Sequence, residues 1–185
     1  MQLPNNAATN GWYNVLPDPA PAKQVSGTIR APYVVLGAGV TGLSAARQLA
    51  THLPDEEIVL IEAERVGFGT SGRNSGFALD SFFHGDEPLN NPELSAAHAR
   101  LCTGGLNILR KLVKENEIEC GWHDWGKLHV SAGAEGDTSL KGFIQGYKSL
   151  GIQAKELNAE EVAAVTGSTF YTAGLKVEAT GLMNP

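Results

Sequence analysis

The chain has 185 residues, 42% of them hydrophobic and 18% charged, with a formal net charge of −6. This is enough for one domain with a sizeable core, and the acidic balance argues against a basic face for nucleic acid. No apolar run is long enough to cross a bilayer, and the N-terminus lacks the basic-then-apolar order of a secretory signal, so a cytoplasmic location is expected. The two cysteines, Cys102 and Cys120, do not form a Cys-x-x-Cys pair. Free, half-buried thiols are expected of them, with no disulfide and no metal site.

Residues 1–30 are polar and proline-rich, with Pro17, Pro19 and Pro21 close together. They read as an extended arm with little helix or strand. Gly11-Trp12-Tyr13 and Val15-Leu16 are the residues available to pin this arm to the domain surface; a loose tail is the other reading. From Pro32 the pattern changes. Tyr33-Val34-Val35-Leu36 is a short apolar run expected to form a buried strand. It enters Gly37-Ala38-Gly39-Val40-Thr41-Gly42, a Gly-x-Gly-x-x-Gly turn, and a helix from Val40 to about His52 follows. Leu43, Ala46, Leu49 and Ala50 recur at helical spacing and are expected to face the sheet.

Each glycine of the turn has a physical job. Gly37 permits the sharp exit from the strand, Gly39 lets the backbone approach a pyrophosphate, and Gly42 lets the helix lie close on the strand. The helix N-terminus presents unpaired N–H groups and the positive end of its dipole to an anion. Glu57-Ile58-Val59-Leu60-Ile61 reads as a second strand and ends on Glu62, which lies 20 positions beyond Gly42. At that offset an acidic side chain accepts hydrogen bonds from adenosine ribose hydroxyls and repels a 2′-phosphate. The pattern predicts dinucleotide binding; the bland alternative is a tight turn in an ordinary βαβ unit.

Gly67, Gly69, Gly72 and Gly76 then fall within ten positions, among Thr70, Ser71, Arg73, Asn74 and Ser75. Such a loop can present N–H groups as an anion nest, with Arg73 adding charge, and it directly follows the ribose-binding strand. A flexible surface loop is the alternative.

Taken together, Trp12-Tyr13, the Gly37–Gly42 turn, Glu62 and Thr70-Ser71-Gly72-Arg73-Asn74-Ser75-Gly76 resemble the start of an FAD-dependent amine or amino-acid oxidoreductase. The superfamily is the D-amino-acid oxidase-like one, and the nearest branch is the gamma-glutamylputrescine oxidase-like group. The resemblance runs from Trp12 to Pro185. It implies an α/β fold: a Rossmann-type FAD-binding βαβ start followed by part of an α+β substrate domain, apparently truncated. It implies the cofactor FAD, with Gly37, Gly39, Val40, Thr41 and Gly42 at the pyrophosphate and Glu62 at the adenosine ribose. Ser71, Gly72, Arg73, Asn74 and Gly76 approach the pyrophosphate and the flavin edge. Some relatives attach flavin covalently through a histidine near this loop; no histidine lies between Gly67 and Phe77.

Residues 78–91 read as a loop. His84-Gly85-Asp86 within it offers too few ligands for a metal and reads as an exposed polar stretch. Pro92 opens a long helix, roughly Glu93 to Glu117, with an apolar stripe of Leu94, Ala97, Leu101, Leu106, Leu109 and Val113. Gly104-Gly105 weakens it and is a candidate kink. Leu128-His129-Val130-Ser131 alternates as a strand, and by resemblance it joins an antiparallel substrate-domain sheet. Trp122 and Trp125 are candidates to wall a substrate site or, more commonly, core aromatics; His123 and Asp124 read as structural. A helix is expected from about Thr138 to Leu150, a strand over Gly151–Ala154, and an Asn158-capped helix after that.

The resemblance implies domains of 1–30 (arm), 31–80 (N-terminal part of the FAD-binding domain) and 81–185 (long helix and start of the substrate region). The last of these returns toward the FAD domain. The final residues, Gly181–Pro185, read as an interruption rather than a terminus. The activity implied for the full enzyme is amine oxidation, with hydride transfer to flavin N5 and hydrolysis of the imine. The implied substrate is a small amine or amino acid. No residue of these 185 is assigned a catalytic role. Three readings stand: the N-terminal portion of such an enzyme, a short FAD-binding subunit needing a partner that supplies the remainder, and a non-catalytic product. An NAD-dependent dehydrogenase is a further alternative.

Overall fold

The computed structural model describes residues 10–16, 23–81, 83, 87–178 and 180–185. Pro17, Pro19, Pro21, His84, Gly85 and Asp86 lie outside the described residues. The chain divides into two compact units, one reaching Ser75 and including Pro185, the other Gly76–Asn184.

In the first unit, β1 (Tyr33–Leu36) pairs in parallel with β2 (Ile58–Ile61), Tyr33 opposite Ile58 and Leu36 opposite Ile61. The crossover is α1 (Val40–His52), which starts directly after the glycine turn and ends where Leu53 N–H reaches the Leu49 carbonyl. The sheet-facing stripe of α1 is half-buried Gly42, Ala46 and Leu49, whereas Leu43 and Ala50 are exposed. That corrects the expected face. A Cβ at Gly42 would collide with the Gly37 carbonyl and lie 3.5 Å from Val35 Cγ1. The close approach therefore centres on Gly42, and the buried stripe follows from it at helical spacing.

Strand β1 also departs from the expected buried run. Val34 is 52% exposed and Leu36 78%. Val35 faces α1, but the opposite side chains of the strand face outward. A continuous apolar run is the signature of a parallel strand covered on both faces. Here the described residues cover one.

The second unit begins with β3 (Phe77–Ala78), which pairs antiparallel with β7 (Gly181–Leu182). Between them lie α2 (Glu87–Asn90), α3 (Pro92–Glu115), β4 (Lys127–Ser131), α4 (Ala134–Ser149), β5 (Ala154–Asn158), α5 (Ala159–Thr166) and β6 (Ala173–Val177). Strands β4, β6 and β5 form an antiparallel sheet in that order, with His129 and Glu156 both opposite Leu175. Helix α4 packs Leu140 and Tyr147 on Leu175 and Val177, with Phe83, Phe143 and Ile152 around them. On the other face Val162 of α5 is fully buried, and a Cβ at Gly174 would come within 2.7 Å of its Cγ2.

Several boundaries differ from expectation. Residues 87–90, read as loop, form α2. Helix α3 runs unbroken through Gly104-Gly105. Its inward residues are Cys102, Leu106, Leu109 and Val113, while Leu101 is 74% exposed and Leu94 51%. Helix α4 begins four residues early, after Gly133 at φ +137°. Asp137 therefore lies within it, and its carboxylate accepts the Ser131 hydroxyl at 2.5 Å. Residues 151–153 are a turn, not a strand. Gly151 sits at φ +67° and Ile152 N–H returns to the Tyr147 carbonyl, which closes the helix and turns Ile152 into the core. Cys102 and Cys120 are free and partly buried.

Among the described residues of this unit, charge is buried at one place. Asp80, 2% exposed, pairs with Lys127 Nζ at 3.3 Å, and Lys127 also reaches Ser81 Oγ at 3.3 Å. The Thr180 hydroxyl donates to the same carboxylate at 3.4 Å. The network ties the segment after β3 to β4 and to the approach to β7.

Helix α5 carries the Asn158 cap expected from its sequence, and Glu161 completes a capping box. Asn158 Oδ1 accepts Glu161 N–H at 2.9 Å, and the Glu161 carboxylate accepts Asn158 N–H at 3.0 Å. Asn158→Ala should lower the unfolding free energy of this unit by about 0.5–2 kcal/mol, measured by urea titration of the circular dichroism signal; no change would show that the box contributes nothing.

Candidate functional site

The site is built at the mouth of the β1–α1 turn. Gly37 takes φ +95°, a conformation that disfavours any side chain, and its N–H donates to the Ile61 carbonyl at 2.7 Å. That bond extends the β1–β2 pairing by one residue and then releases the chain. Ala38, 1% exposed, is the junction. Its N–H donates to Glu62 Oε2 at 2.7 Å, and its carbonyl accepts the Gly67 N–H at 2.9 Å. Glu62 Oε1 also accepts the Glu64 N–H at 3.2 Å. The Ala38 N–H, followed by that of Glu64, holds the Glu62 carboxyl below its ordinary pKa, so the side chain is a fixed anion at neutral pH.

Gly39 is the N-cap of α1 and has extended backbone. A Cβ there would lie 3.0 Å from Ser71 Oγ. The Val40 N–H, the first of the helix, donates to that oxygen at 3.0 Å. The N–H groups of Thr41 and Gly42 follow in the first turn, where helix geometry provides no intrahelical acceptor. Seven of the residues expected at the cofactor, Gly37, Gly39, Val40, Thr41, Gly42, Glu62 and Ser71, are therefore brought together.

Gly72, Arg73 and Asn74 make contacts inside their own loop. Ser71 lies in a single 3-10 turn, Thr70–Gly72. A Cβ at Gly72 would collide with the Gly67 carbonyl. Arg73 Nε donates to the Phe68 carbonyl at 2.9 Å, with the guanidinium 5.0 Å from the Phe68 ring centroid. Its Nη2 is buried without a hydrogen-bond partner among the described residues. Asn74 Nδ2 donates to the Ser71 carbonyl at 2.6 Å. Gly76, at φ +77°, is the first residue of the second unit, and its carbonyl accepts Met183 N–H at 3.0 Å.

In the second unit, Asp124 pairs with Arg110 at 2.8 Å and His123 stacks on Trp125 with ring centroids 4.7 Å apart. A Cβ at Gly181 would meet the Trp122 ring at 2.5 Å. Trp122 thus packs on Gly181, whereas His123, Asp124 and Trp125 lie exposed, so Trp125 is not the core aromatic expected. Ala38 is the residue that sequence reasoning misses, and its place between the first two glycines is the signal that marks it. Among the described residues no group of three or more His, Cys, Asp or Glu is placed to hold a metal, and no helix is long and apolar enough to cross a membrane.

The arrangement fits a dinucleotide: a fixed carboxylate beside a helix N-terminus whose Thr41 and Gly42 N–H groups have no intrahelical acceptor, with Ser71 of a second loop on the Val40 N–H and a guanidinium nitrogen in that loop without a hydrogen-bond partner among the described residues. The profile of one protein family, FAD dependent oxidoreductase (DAO), matches residues 32–185. The chain belongs to this family. FAD is the family's cofactor. Over 170 residues the chain is 28% identical to gamma-glutamylputrescine oxidoreductase of Escherichia coli K12, covering 90% of this chain and 39% of that protein. It is 28% identical over 155 residues to the probable oxidoreductase OrdL of Haemophilus influenzae, covering 82% and 36%. Glycine oxidase from Bacillus cereus ATCC 14579 has the same fold, with a TM-score of 0.66 at 15% identity, over 84% of this chain and 40% of that one. The chain thus spans well under half the length of these relatives.

Linkage gives a test of the Glu62 geometry. A carboxyl whose pKa is lowered on folding adds stability above its unfolded value, about 4.3, and loses it as pH falls through the folded value. The stability advantage of the parent over Glu62→Gln should therefore be constant from about pH 7 to about pH 5 and shrink in more acid solution. An advantage that stays flat through the acid range would mean that Ala38 N–H does not hold the carboxylate.

Proposed function

We propose that the first unit binds the ADP half of FAD, and that the chain is the N-terminal portion of an oxidoreductase acting on the C–N bond of an amine or amino acid. The observation that carries the cofactor placement is the pairing of Glu62 with the Ala38 N–H and of Ser71 with the Val40 N–H, on either side of Gly39. The amine class is supported by the 28% identity to gamma-glutamylputrescine oxidoreductase. When bound, FAD supplies the hydride-accepting chemistry.

The residues of this chain bind and orient. The first-turn N–H groups and the positive end of the α1 dipole face the pyrophosphate. Glu62, held by Ala38, uses its remaining lone pairs for ribose hydroxyls. The Ser71 hydroxyl accepts from Val40 and can donate its own proton to a phosphate oxygen. Arg73 adds positive charge to the same loop. Gly39→Leu places a side chain where the pyrophosphate must approach and should abolish FAD retention, read as loss of the flavin absorbance that copurifies with the parent. A Gly39→Leu variant that keeps flavin as well as the parent would overturn this placement.

A second reading concerns completeness. Val34 and Leu36 are exposed on a strand whose composition suits burial on both faces. We propose that further polypeptide, from the same chain or from a partner, covers this face. Native mass spectrometry of the protein from its own source should then show a species heavier than 19.5 kDa plus FAD. A lone 19.5 kDa chain without FAD would remove the enzymatic reading.

A further inference from the structure

The loop that carries Ser71 to the start of α1 is held from outside as well as by its own bonds. Three side chains from the N-terminal segment reach its backbone carbonyls. Asn10 Nδ2 donates to Gly72 O at 2.8 Å, Trp12 Nε1 to Asn74 O at 2.8 Å, and the Tyr13 hydroxyl to Val66 O at 2.9 Å. The three acceptors bracket Ser71 on both sides. The Arg65 guanidinium lies 3.8 Å from the centroid of the Tyr13 ring, a cation–π contact on the loop's entry.

The segment is preshaped for this. Asn10 is 5% exposed and its Oδ1 accepts the Trp12 N–H at 3.1 Å, so its amide is oriented from both ends. A 3-10 turn over Tyr13–Val15 follows and sets the direction in which the Tyr13 ring leaves the backbone. Strap and loop both belong to the first unit.

We infer that Asn10, Trp12 and Tyr13 form a strap that fixes the cofactor loop, and that they are positioning residues for FAD. The inference rests on the FAD placement proposed above. A glycine-rich loop has many conformations, and ordering it only when a ligand arrives weakens binding. With 66, 72 and 74 tied down, Ser71 stands over Gly39 before any ligand is present. Trp and Tyr suit the task because each carries a donor at the end of a side chain with only two rotatable bonds.

The double variant Trp12→Phe/Tyr13→Phe removes two donors and keeps an aromatic ring at both positions, so the packing and the Arg65 contact survive. Hydrogen exchange in the 185-residue chain reads the loop at the amides of Gly67, Phe68 and Arg73, with Leu150 and Gly167 of the second unit as internal controls. The loop amides should exchange roughly five- to tenfold faster for each lost bond, and the controls should not change. Unaltered loop exchange overturns the strap, with or without cofactor. FAD affinity of the protein as isolated, read by flavin fluorescence, should fall at least about fivefold, with Trp125→Phe, a change at an exposed aromatic of the second unit, as the unaffected comparison. A parent-like Kd in the double variant overturns the positioning role and leaves the FAD placement standing. A parent that binds no FAD overturns both, and is told apart because the parent itself fails.

Discussion

The first unit depends on one residue's backbone, the Ala38 amide and carbonyl. Its N–H is claimed by Glu62 from the end of β2, and its C=O by Gly67 from the second glycine-rich loop. Both partners come from beyond the α1 crossover. The same residue therefore registers three pieces of chain: the turn, the acidic strand end and the loop. Because Ala38 is nearly inaccessible to water, leaving either group unpaired would cost about 1–3 kcal/mol. That asymmetry makes the arrangement specific, since any shift of the loop that breaks the Gly67 bond leaves a carbonyl with nowhere else to go.

The consequence is a candidate cofactor site assembled in layers. Gly37 and Gly42 shape the turn by what they lack. Glu62 and Ser71 then occupy two N–H groups that are near neighbours along the chain, Ala38 and Val40, with Gly39 between them. Arg73 Nε and Asn74 Nδ2 donate to backbone carbonyls of the same loop, Phe68 and Ser71, while Arg73 Nη2 has no partner among the described residues. The loop is thereby a self-braced object docked on the turn, rather than a flexible set of donors waiting for an anion.

Much of this was legible in the sequence, for identifiable reasons. The bounds of β1 and α1 followed from the glycine spacing because the turn admits little else. The α5 start followed from Asn158 because the capping signal is local. What failed to show was whatever depended on tertiary neighbours. The start of α4 looks four residues later until Gly133 is found to open it and Asp137, inside it, to take the Ser131 hydroxyl. Ile152 looks like a strand residue until the Tyr147 carbonyl draws its N–H back. Leu43 and Leu101 fit helical stripes that the packing then rotated away from. The contacts of Asn10, Trp12 and Tyr13 with carbonyls more than fifty positions away leave no periodic trace at all. Trp12 and Tyr13 stood out as residues able to pin the arm, but nothing in their pattern named the carbonyls they reach.

The order of the antiparallel sheet in the second unit bears on how that unit comes into being. Strand β6, which pairs with both β4 and β5, is the last of the three along the chain. During synthesis β4 and β5 emerge with no partner to bridge them. Nothing in the β4–β6–β5 ladder can close until Ala173–Val177 has left the ribosome. At that point a single five-residue segment completes both pairings and brings Leu175 and Val177 under α4. The central strand of this sheet is thus the last of the three to be made, and both edge pairings wait for it.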